Sequence, residues 1–493
     1  MIKSINDLGL DSDVIKRLNL YLESLRLGND DVYLAAIAKD NAPSFILDKV
    51  DKLFNLNKAK MNNILLDIEL ANRDKYGPRS ISKPWSERIE SLDEYFNFND
   101  ISVPSVKFPV GNLRPISISK CFNKLKNDTN SGLPYFTRKS KVKKIAERDF
   151  LKLLSKEYPC ILFTRTQESN KTRNVWGYPI ADTVSEGLYY FALLDYQKRL
   201  NWRSSLIGPD YVDLKISELM LRSFNSGKTL LSIDFSSYDA SINPSLTRCA
   251  FDYVKSVFQS KYDSDINRIC DRFISIPILT PDGIYTGNHG VPSGATFTNE
   301  VDSICQWIVA SSLGISDNDF QIQGDDGVYM LDLATLDLLK SKFRSLGLLM
   351  NEEKSFINED YCVYLQRLYH KDYMNNGFIG GIYPIYRAIN RIVFQERYSN
   401  FEDFGLTGID YYSIRTISIL ENCKYHPLHE ELVKLVYSLD KYGLKFSQKG
   451  ISRYDAMLNE SSGTGGLLYN QFGDKISGID SFETMKIIKR IRD

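Results

Sequence analysis

The sequence predicts a mixed fold of helices and strands, α/β in the α+β sense, and three observations predict it. Near the start, Val14, Ile15, Leu18, Leu22 and Leu25 follow helical spacing. Between Lys228 and His370, short β-prone runs alternate with helical stretches and tight turns. The final hundred residues return to helical patterning. At 493 residues, 43% hydrophobic and 25% charged, the chain is globular and longer than a single domain of typically ~100–150 residues.

Lysine plus arginine number 62 and aspartate plus glutamate also 62, so no uniformly basic coat exists to hold nucleic acid by bulk charge. Any polyanion has to be held by local patches. The seven cysteines are odd in number, widely spread, and form no C-x-x-C pair, the pattern expected of reduced, buried thiols inside a cell. No apolar run approaches the roughly 18–20 residues of a bilayer span, and Met1 to Gly28 is charged at nearly every turn. The expectation is a soluble, non-secreted protein without a membrane partner.

Taken in order, the first helix runs from a cap at Ser12 or Asp13 to a stop at Gly28, with one buried face. From Tyr76 to Pro134 the chain is proline-rich (Pro78, Pro84, Pro104, Pro109, Pro115, Pro134), which predicts extended connections that wrap other elements. The basic run Arg138 to Lys144 follows and reads most simply as a solvated face. Near the C-terminus, Ser461 to Gly466 is glycine-rich and predicts a mobile loop.

The middle of the chain carries the chemistry. Thr229 to Ile233 is a buried-strand run ending at Asp234; Asp239 follows in the turn before a helix that Asn243-Pro244 caps and starts. Phe320 to Gln323 and Val328 to Leu331 flank Gly324-Asp325-Asp326-Gly327, and Asp-Gly is a strong hairpin signal. Each element alone also fits an ordinary surface turn. Together, Asp234, Asp325 and Asp326 form an oxygen-only donor set that suits magnesium or manganese, and two such ions about 3.5–4 Å apart serve phosphoryl transfer. Between them, Gly290-Val291-Pro292-Ser293-Gly294 leads into a helix ending near Gly314, with Thr298 and Asp302 on a polar face apart from Val301, Ile304, Cys305, Ile308 and Val309.

In order and spacing, Asp234-x4-Asp239, Ser293-Gly294-x3-Thr298 and Gly324-Asp325-Asp326 resemble motifs A, B and C of viral RNA-dependent RNA polymerases, and their wording is most similar to the picobirnavirus and partitivirus enzymes. Upstream, Arg165 to Pro179 resembles motif F, whose cations Arg165, Lys171 and Arg173 are expected to cover the incoming triphosphate. The shorter Asn130-Ser131-Gly132-Leu133-Pro134 resembles motif G, and implies template contacts at Ser131, Gly132 and Pro134. Downstream, Leu346 to Lys354 resembles motif D, with Lys354 as general acid for pyrophosphate, and Tyr364 to Tyr369 resembles the primer-grip motif E, with Gln366 and Arg367 on RNA. These motifs span about half the chain, from Asn130 to Arg391.

The resemblance implies a cupped right hand of fingers, palm and thumb with the palm on an antiparallel sheet. It implies an N-terminal extension over 1–70 bridging fingers and thumb, fingers over 71–180 with a second insertion at 245–288, palm over 181–244 and 289–372, and thumb over 373–493. It implies catalysis by Asp234, Asp325, Asp326 and Lys354 with two Mg2+ or Mn2+ ions, and nucleotide contacts from Asp239, Ser293, Gly294, Thr298 and Asp302. Asp302 stands where many positive-strand polymerases carry asparagine, and Asn299 is an available substitute. Expected partners are template and nascent RNA, ribonucleoside triphosphates and a viral capsid protein, with a setting in the virion interior or host cytoplasm. A double-stranded RNA genome and primer-independent initiation, with the Ser461 to Gly466 loop filling the product channel, complete the implied picture.

Two rival readings use other features. A reverse transcriptase also needs strand-borne aspartates, but glycine before Asp325-Asp326 and the Ser293-Gly294-Thr298 pattern argue against it. A non-catalytic RNA-packaging protein has no need of three such aspartates, and a clearly positive net charge is expected of it. Cys423, His426 and His429 have zinc-type side chains, but a fourth ligand is not evident nearby and a helix end with a buried cysteine is the simpler reading.

Overall fold

The computed structural model describes residues 5–35, 42–351, 353–460 and 478–493. The glycine-rich Ser461 to Gly466 segment and Glu352 lie outside the described residues. The two main sheets have four strands each. One is antiparallel throughout, in the order Phe320–Gln323, Asp326–Leu331, Thr229–Ile233, Phe356–Asn358. Its central strand, Thr229–Ile233, is buried along its whole length, as its unbroken apolar and hydroxyl run requires.

The other sheet runs Thr172–Gly177, Cys160–Thr166, Ile278–Thr280, Gly283–Tyr285, and the Cys160–Thr166 to Ile278–Thr280 pairing is parallel. Segments more than a hundred residues apart thus share one sheet. As the prolines predict, residues 97–117 contain no helix or strand, and Gly111 and Leu113 donate their N–H groups to Ser256 and Val257 on the far helix Pro244–Val257. The helix Ser12–Leu27 buries Val14, Leu18, Leu22 and Leu25, with Gly28 at its end. Its cap is Asp11, one residue before the expected position, because the Asp11 carboxylate is the one that accepts the Asp13 N–H.

The N-terminal residues divide between two cores. Ser12–Leu27 joins the core of the second sheet, where Tyr21 meets the Phe136 and Phe163 rings at 5.4 and 5.3 Å between centroids and donates its hydroxyl to the Leu162 carbonyl at 3.1 Å. Helices Pro43–Leu56 and Asn63–Arg73 pack instead with the C-terminal helices Ile385–Val393, Gly408–Glu421, His429–Leu439, Gln448–Glu460 and Glu483–Arg492. The fully buried Glu69 carboxylate accepts the first free N–H groups of the helix Ile385–Val393, from Ile385 at 2.8 Å and Tyr386 at 3.2 Å. His426 Nε2 lies 2.9 Å from the same carboxylate, while its Nδ1 accepts the Leu428 N–H. His429 pairs with Thr484, so the imidazoles of the zinc-like pattern are already engaged in holding helices together. All seven cysteines are free thiols, six of them buried.

The basic run is not a purely solvated face. On the helix Lys139–Arg148, Lys139 turns inward to Thr129 and Lys143 to the Leu125 carbonyl, while Arg138, Lys141 and Lys144 stay exposed. Burial lowers the Lys139 ammonium to about 8.

Candidate active site

The antiparallel register decides where the carboxylates meet. Ile233 faces Gly327, so the next step along both strands brings Asp234 beside Asp326. The hairpin itself closes at Gln323 opposite Asp326, which leaves Gly324-Asp325 as the two-residue turn. The Asp-Gly signal therefore located the hairpin but not its turn. Gly324 takes the positive φ of +61° that a tight turn needs. Gly327 lies inside the strand, where a Cβ would come within 2.7 Å of Gln306 Oε1.

Burial and the neighbouring Asp234 carboxylate raise Asp325, and burial together with the Asp325 and Asp234 carboxylates takes Asp326 up to about 8. Crowded like charges of this kind call for cations. Lys354 Nζ stands 3.5 Å from Asp234 Oδ2, on a turn whose Asn351 N–H binds the Asp234 carbonyl at 2.8 Å. The charges of Lys171 and Arg173 bear on Asp325, and that of Arg173 on Asp326. Among the described residues no three carboxylate, thiol or imidazole groups are drawn close enough to chelate an ion outright. The donor set nevertheless fits Mg2+ or Mn2+, hard ions that keep waters and take their remaining ligands from substrate phosphates.

Beside the carboxylates lies a second cluster. Asp239 sits on the one-turn helix Tyr238–Ser241 and accepts the Ser293 hydroxyl. Gly290 is required here because a Cβ would stand 2.5 Å from the Asp239 carbonyl, whose oxygen accepts the Val291 N–H at 2.8 Å. Gly294, at φ +112°, passes equally close to the Trp176 carbonyl, while the Trp176 N–H holds the Ser293 carbonyl at 2.6 Å. The loop is thus pinned to the strand that carries Arg173. Asp302 is buried at 4% exposure and hydrogen-bonds Asp239; burial, and after it the Asp239 charge, push its carboxyl well above the usual range.

The sequence model of the family described as viral RNA-dependent RNA polymerase matches residues 108–380, more than half of the chain. The chain belongs to that family. Over 460 residues it is 28% identical to a potential RNA-dependent RNA polymerase of a human picobirnavirus (strain Human/Thailand/Hy005102), covering 86% of this polymerase and 85% of the relative. It is 26% identical over 275 residues to the RNA-directed RNA polymerase of Cryptosporidium parvum virus 1 (strain KSU-1), covering 49% and 52% of the two chains. The crystal structure of a human picobirnavirus RNA-dependent RNA polymerase superimposes with a TM-score of 0.77 at 25% identity, covering 98% of this chain and 100% of that one. The fold is therefore the right-handed polymerase fold, with the antiparallel sheet carrying Asp234, Asp325 and Asp326.

Several polymerase residues stand differently from expectation. Arg165 is exposed and pairs with Glu396 at 3.7 Å. The Thr298 hydroxyl donates to the Pro292 and Ala295 carbonyls, so it secures the loop. Ser131 is fully buried with its hydroxyl engaged inside its own loop, and Gly132 is packed under Tyr178, which leaves half-buried Asn130 and Pro134 as the surface of that motif. Of the hairpin Tyr361–Tyr364 and Arg367–His370, Gln366 is exposed at the tip. Arg367 is not an RNA-facing residue, since it is 8% exposed and binds Gly381 and Asn422. Its buried guanidinium had to find carbonyl partners inside the protein.

The largest gap in the sequence reading is the helix Thr298–Ser312. The spacing sets Thr298 and Asp302 on a polar face apart from the apolar one, yet every residue from Glu300 to Ala310 is buried. Ser303 accepts the Gly324 N–H at 2.8 Å, and Gln306 donates to the Gly324 carbonyl at 2.7 Å while accepting the Tyr329 hydroxyl at 2.7 Å. Glu300 forms a wholly buried ion pair with Arg203 at 2.6 Å. Glu186, raised by burial to about 8, accepts the Thr296 and Phe297 N–H groups at the start of the same helix. A signal was present: Asn299, Ser303 and Gln306 repeat at helical spacing between apolar neighbours, which is the mark of a polar seam between two packed elements.

Proposed function

We propose that this polymerase copies an RNA template from ribonucleoside triphosphates by two-metal nucleotidyl transfer, in a virus with a double-stranded RNA genome. The observation that carries the reading is the convergence of Asp234 with Asp325 and Asp326 across paired strands, ringed by Lys354, Lys171 and Arg173. When bound by these aspartates, two Mg2+ or Mn2+ ions supply the Lewis acidity that activates the attacking 3′-hydroxyl and stabilises the leaving pyrophosphate. Lys171 and Arg173 neutralise and orient the triphosphate. Lys354 donates a proton to the departing pyrophosphate. Asp239 and Ser293 hold the ribose 2′-hydroxyl, the group that separates RNA from DNA precursors.

The division into fingers, palm and thumb follows from the same reading. The shared sheet of 160–177 and 278–285 supports fingers made from two insertions, and the two cores joined by the N-terminal helices support a bridge from fingers to thumb. Primer-independent initiation, transcription inside the particle and a capsid partner are proposed from similarity to the picobirnavirus enzyme. Among the described residues no helix is long and apolar enough to cross a membrane.

The test is incorporation of labelled ribonucleotides on single-stranded RNA with Mg2+ or Mn2+, primed and unprimed, comparing the intact chain with Asp325→Asn plus Asp326→Asn. Template-dependent synthesis that the double change abolishes is the expected result. Synthesis surviving the change refutes the site, and preference for 2′-deoxynucleotides favours a reverse transcriptase. RNA binding without extension under either metal favours the packaging reading.

A further inference from the structure

We infer that Tyr95 is a specificity-determining residue of the polymerase, which sets the direction of the hydrogen-bond chain that reads the ribose of the incoming nucleotide. The inference rests on the proposed role of Asp239 and Ser293 and adds a residue that no polymerase motif supplies. Tyr95 lies outside the stretch 108–380 that the family model matches and 198 residues before its partner.

The side chain is built into the site. Tyr95 sits on the short helical turn Glu94–Phe96, is 8% exposed, and packs its ring against Trp176 at 5.9 Å between centroids. Its carbonyl accepts the Gly290 N–H at 2.8 Å, at the root of the serine loop. Its hydroxyl lies 3.1 Å from Ser293 Oγ.

Proton counting then orients the chain. A serine hydroxyl has one proton. Ser293 gives that proton to Asp239 Oδ2, so towards Tyr95 it can only accept, and the tyrosine must donate. Burial raises the Tyr95 hydroxyl far above its ordinary range, which keeps it a donor at every working pH. The order is therefore Tyr95 to Ser293 to Asp239, with the buried Asp302 carboxyl beside Asp239. What remains open on Asp239 is acceptor capacity, which matches a donating 2′-hydroxyl and finds no partner in a 2′-deoxyribose. Without the tyrosine hydroxyl, Ser293 is free to rotate and the acceptor is no longer held in place.

The test compares kcat/KM for a ribonucleotide and its 2′-deoxy counterpart on a primed template, in the unaltered enzyme, Tyr95→Phe, Ser293→Ala and the double variant. Tyr95→Phe keeps the ring packing and the backbone bond to Gly290. The expected result is a fall of about tenfold in kcat/KM for the ribonucleotide with that for the deoxynucleotide little changed, the size of one buried hydrogen bond. The double variant is then no worse than Ser293→Ala. Equal losses for both nucleotides mean a structural role and overturn the inference. If Ser293→Ala lowers discrimination and Tyr95→Phe does not, the inference fails while the ribose site stands. If neither lowers it, the ribose site itself is misassigned. Should phenylalanine unfold the chain, 3-fluorotyrosine at position 95, a stronger donor, raises discrimination, and an unmoved ratio overturns the inference.

Discussion

Replacing Gln306 with leucine tests how the catalytic hairpin is held, because the change keeps the side-chain volume and removes only the amide. Two buried groups lose their partners: the Gly324 carbonyl, held at 2.7 Å, and the Tyr329 hydroxyl, donating at 2.7 Å. Gln306 and Tyr329 are both fully buried, so water does not readily replace the amide. Each orphaned group costs about 1–3 kcal/mol, which puts the total near ~4 kcal/mol. Gly324 precedes Asp325, so part of that cost appears as displacement of the carboxylates, and ~1.4 kcal/mol there is a tenfold loss of turnover. Single-nucleotide extension on a primed template is expected to show kcat reduced about tenfold or more with KM little changed, and thermal unfolding is expected at a lower temperature. Adding Tyr329→Phe removes one orphan and recovers stability without recovering kcat, since Gly324 still lacks its donor. Turnover at the level of the unaltered enzyme in Gln306→Leu, or full recovery of kcat in the double variant, refutes the argument that this amide positions the hairpin.

Arg203→Met strands the Glu300 carboxylate in a site where both side chains are wholly buried, and is expected to cost about 3–5 kcal/mol in denaturant unfolding, with joint replacement of both residues by apolar ones recovering most of it. Asp326 titrates near 8 in the folded chain against 3.8 for the free group, so the native state carries the extra proton and stability falls as pH rises from about 4 to about 8. Millimolar Mg2+ is therefore expected to raise Tm more at pH 8 than at pH 6, and Asp326→Asn to flatten the difference; an equal shift at both values counts against a metal role for this carboxylate. Lys354→Leu is expected to slow turnover by about 10- to 100-fold. Lys354→Arg keeps a cation beside Asp234 but holds its proton too tightly to donate it, so comparable turnover for arginine and lysine would leave Lys354 only a charge role.

The catalytic order of the chain was legible because it depends on local rules. A buried run ending in Asp234, an Asp-Gly hairpin and a capped helix after Asp239 each write their structure into a few adjacent residues. Side-chain direction was much less legible. Arg367 lies beside exposed Gln366 in the same turn, and only the arrival of Asn422 from the C-terminal helices decides that the arginine is an internal tie. The resemblance to motifs B and G implied ligand contacts for Thr298 and Ser131, yet both hydroxyls serve their own loops. Tyr95 was invisible, since nothing within its own segment announces a partner almost two hundred residues away.

Under the proposed function, the helix Thr298–Ser312 joins sugar recognition and catalysis in one structure. Its Asp302 bonds to Asp239 in the ribose cluster; one residue on, Ser303 takes the Gly324 N–H, and Gln306 takes the Gly324 carbonyl. Its first turn is tied below by Arg203 and its leading loop by Glu186. A shift of this helix by a fraction of an ångström therefore moves the Asp239 acceptor and the Asp325 turn together, because hydrogen bonds of 2.7–2.8 Å from rigid, buried side chains leave little slack on the hairpin side. A nucleotide lacking the 2′-hydroxyl fails to engage one end of that connected body, and the carboxylates at its other end lose the same support. Discrimination should then appear in kcat as well as in KM, which a ribose contact isolated from the hairpin does not predict.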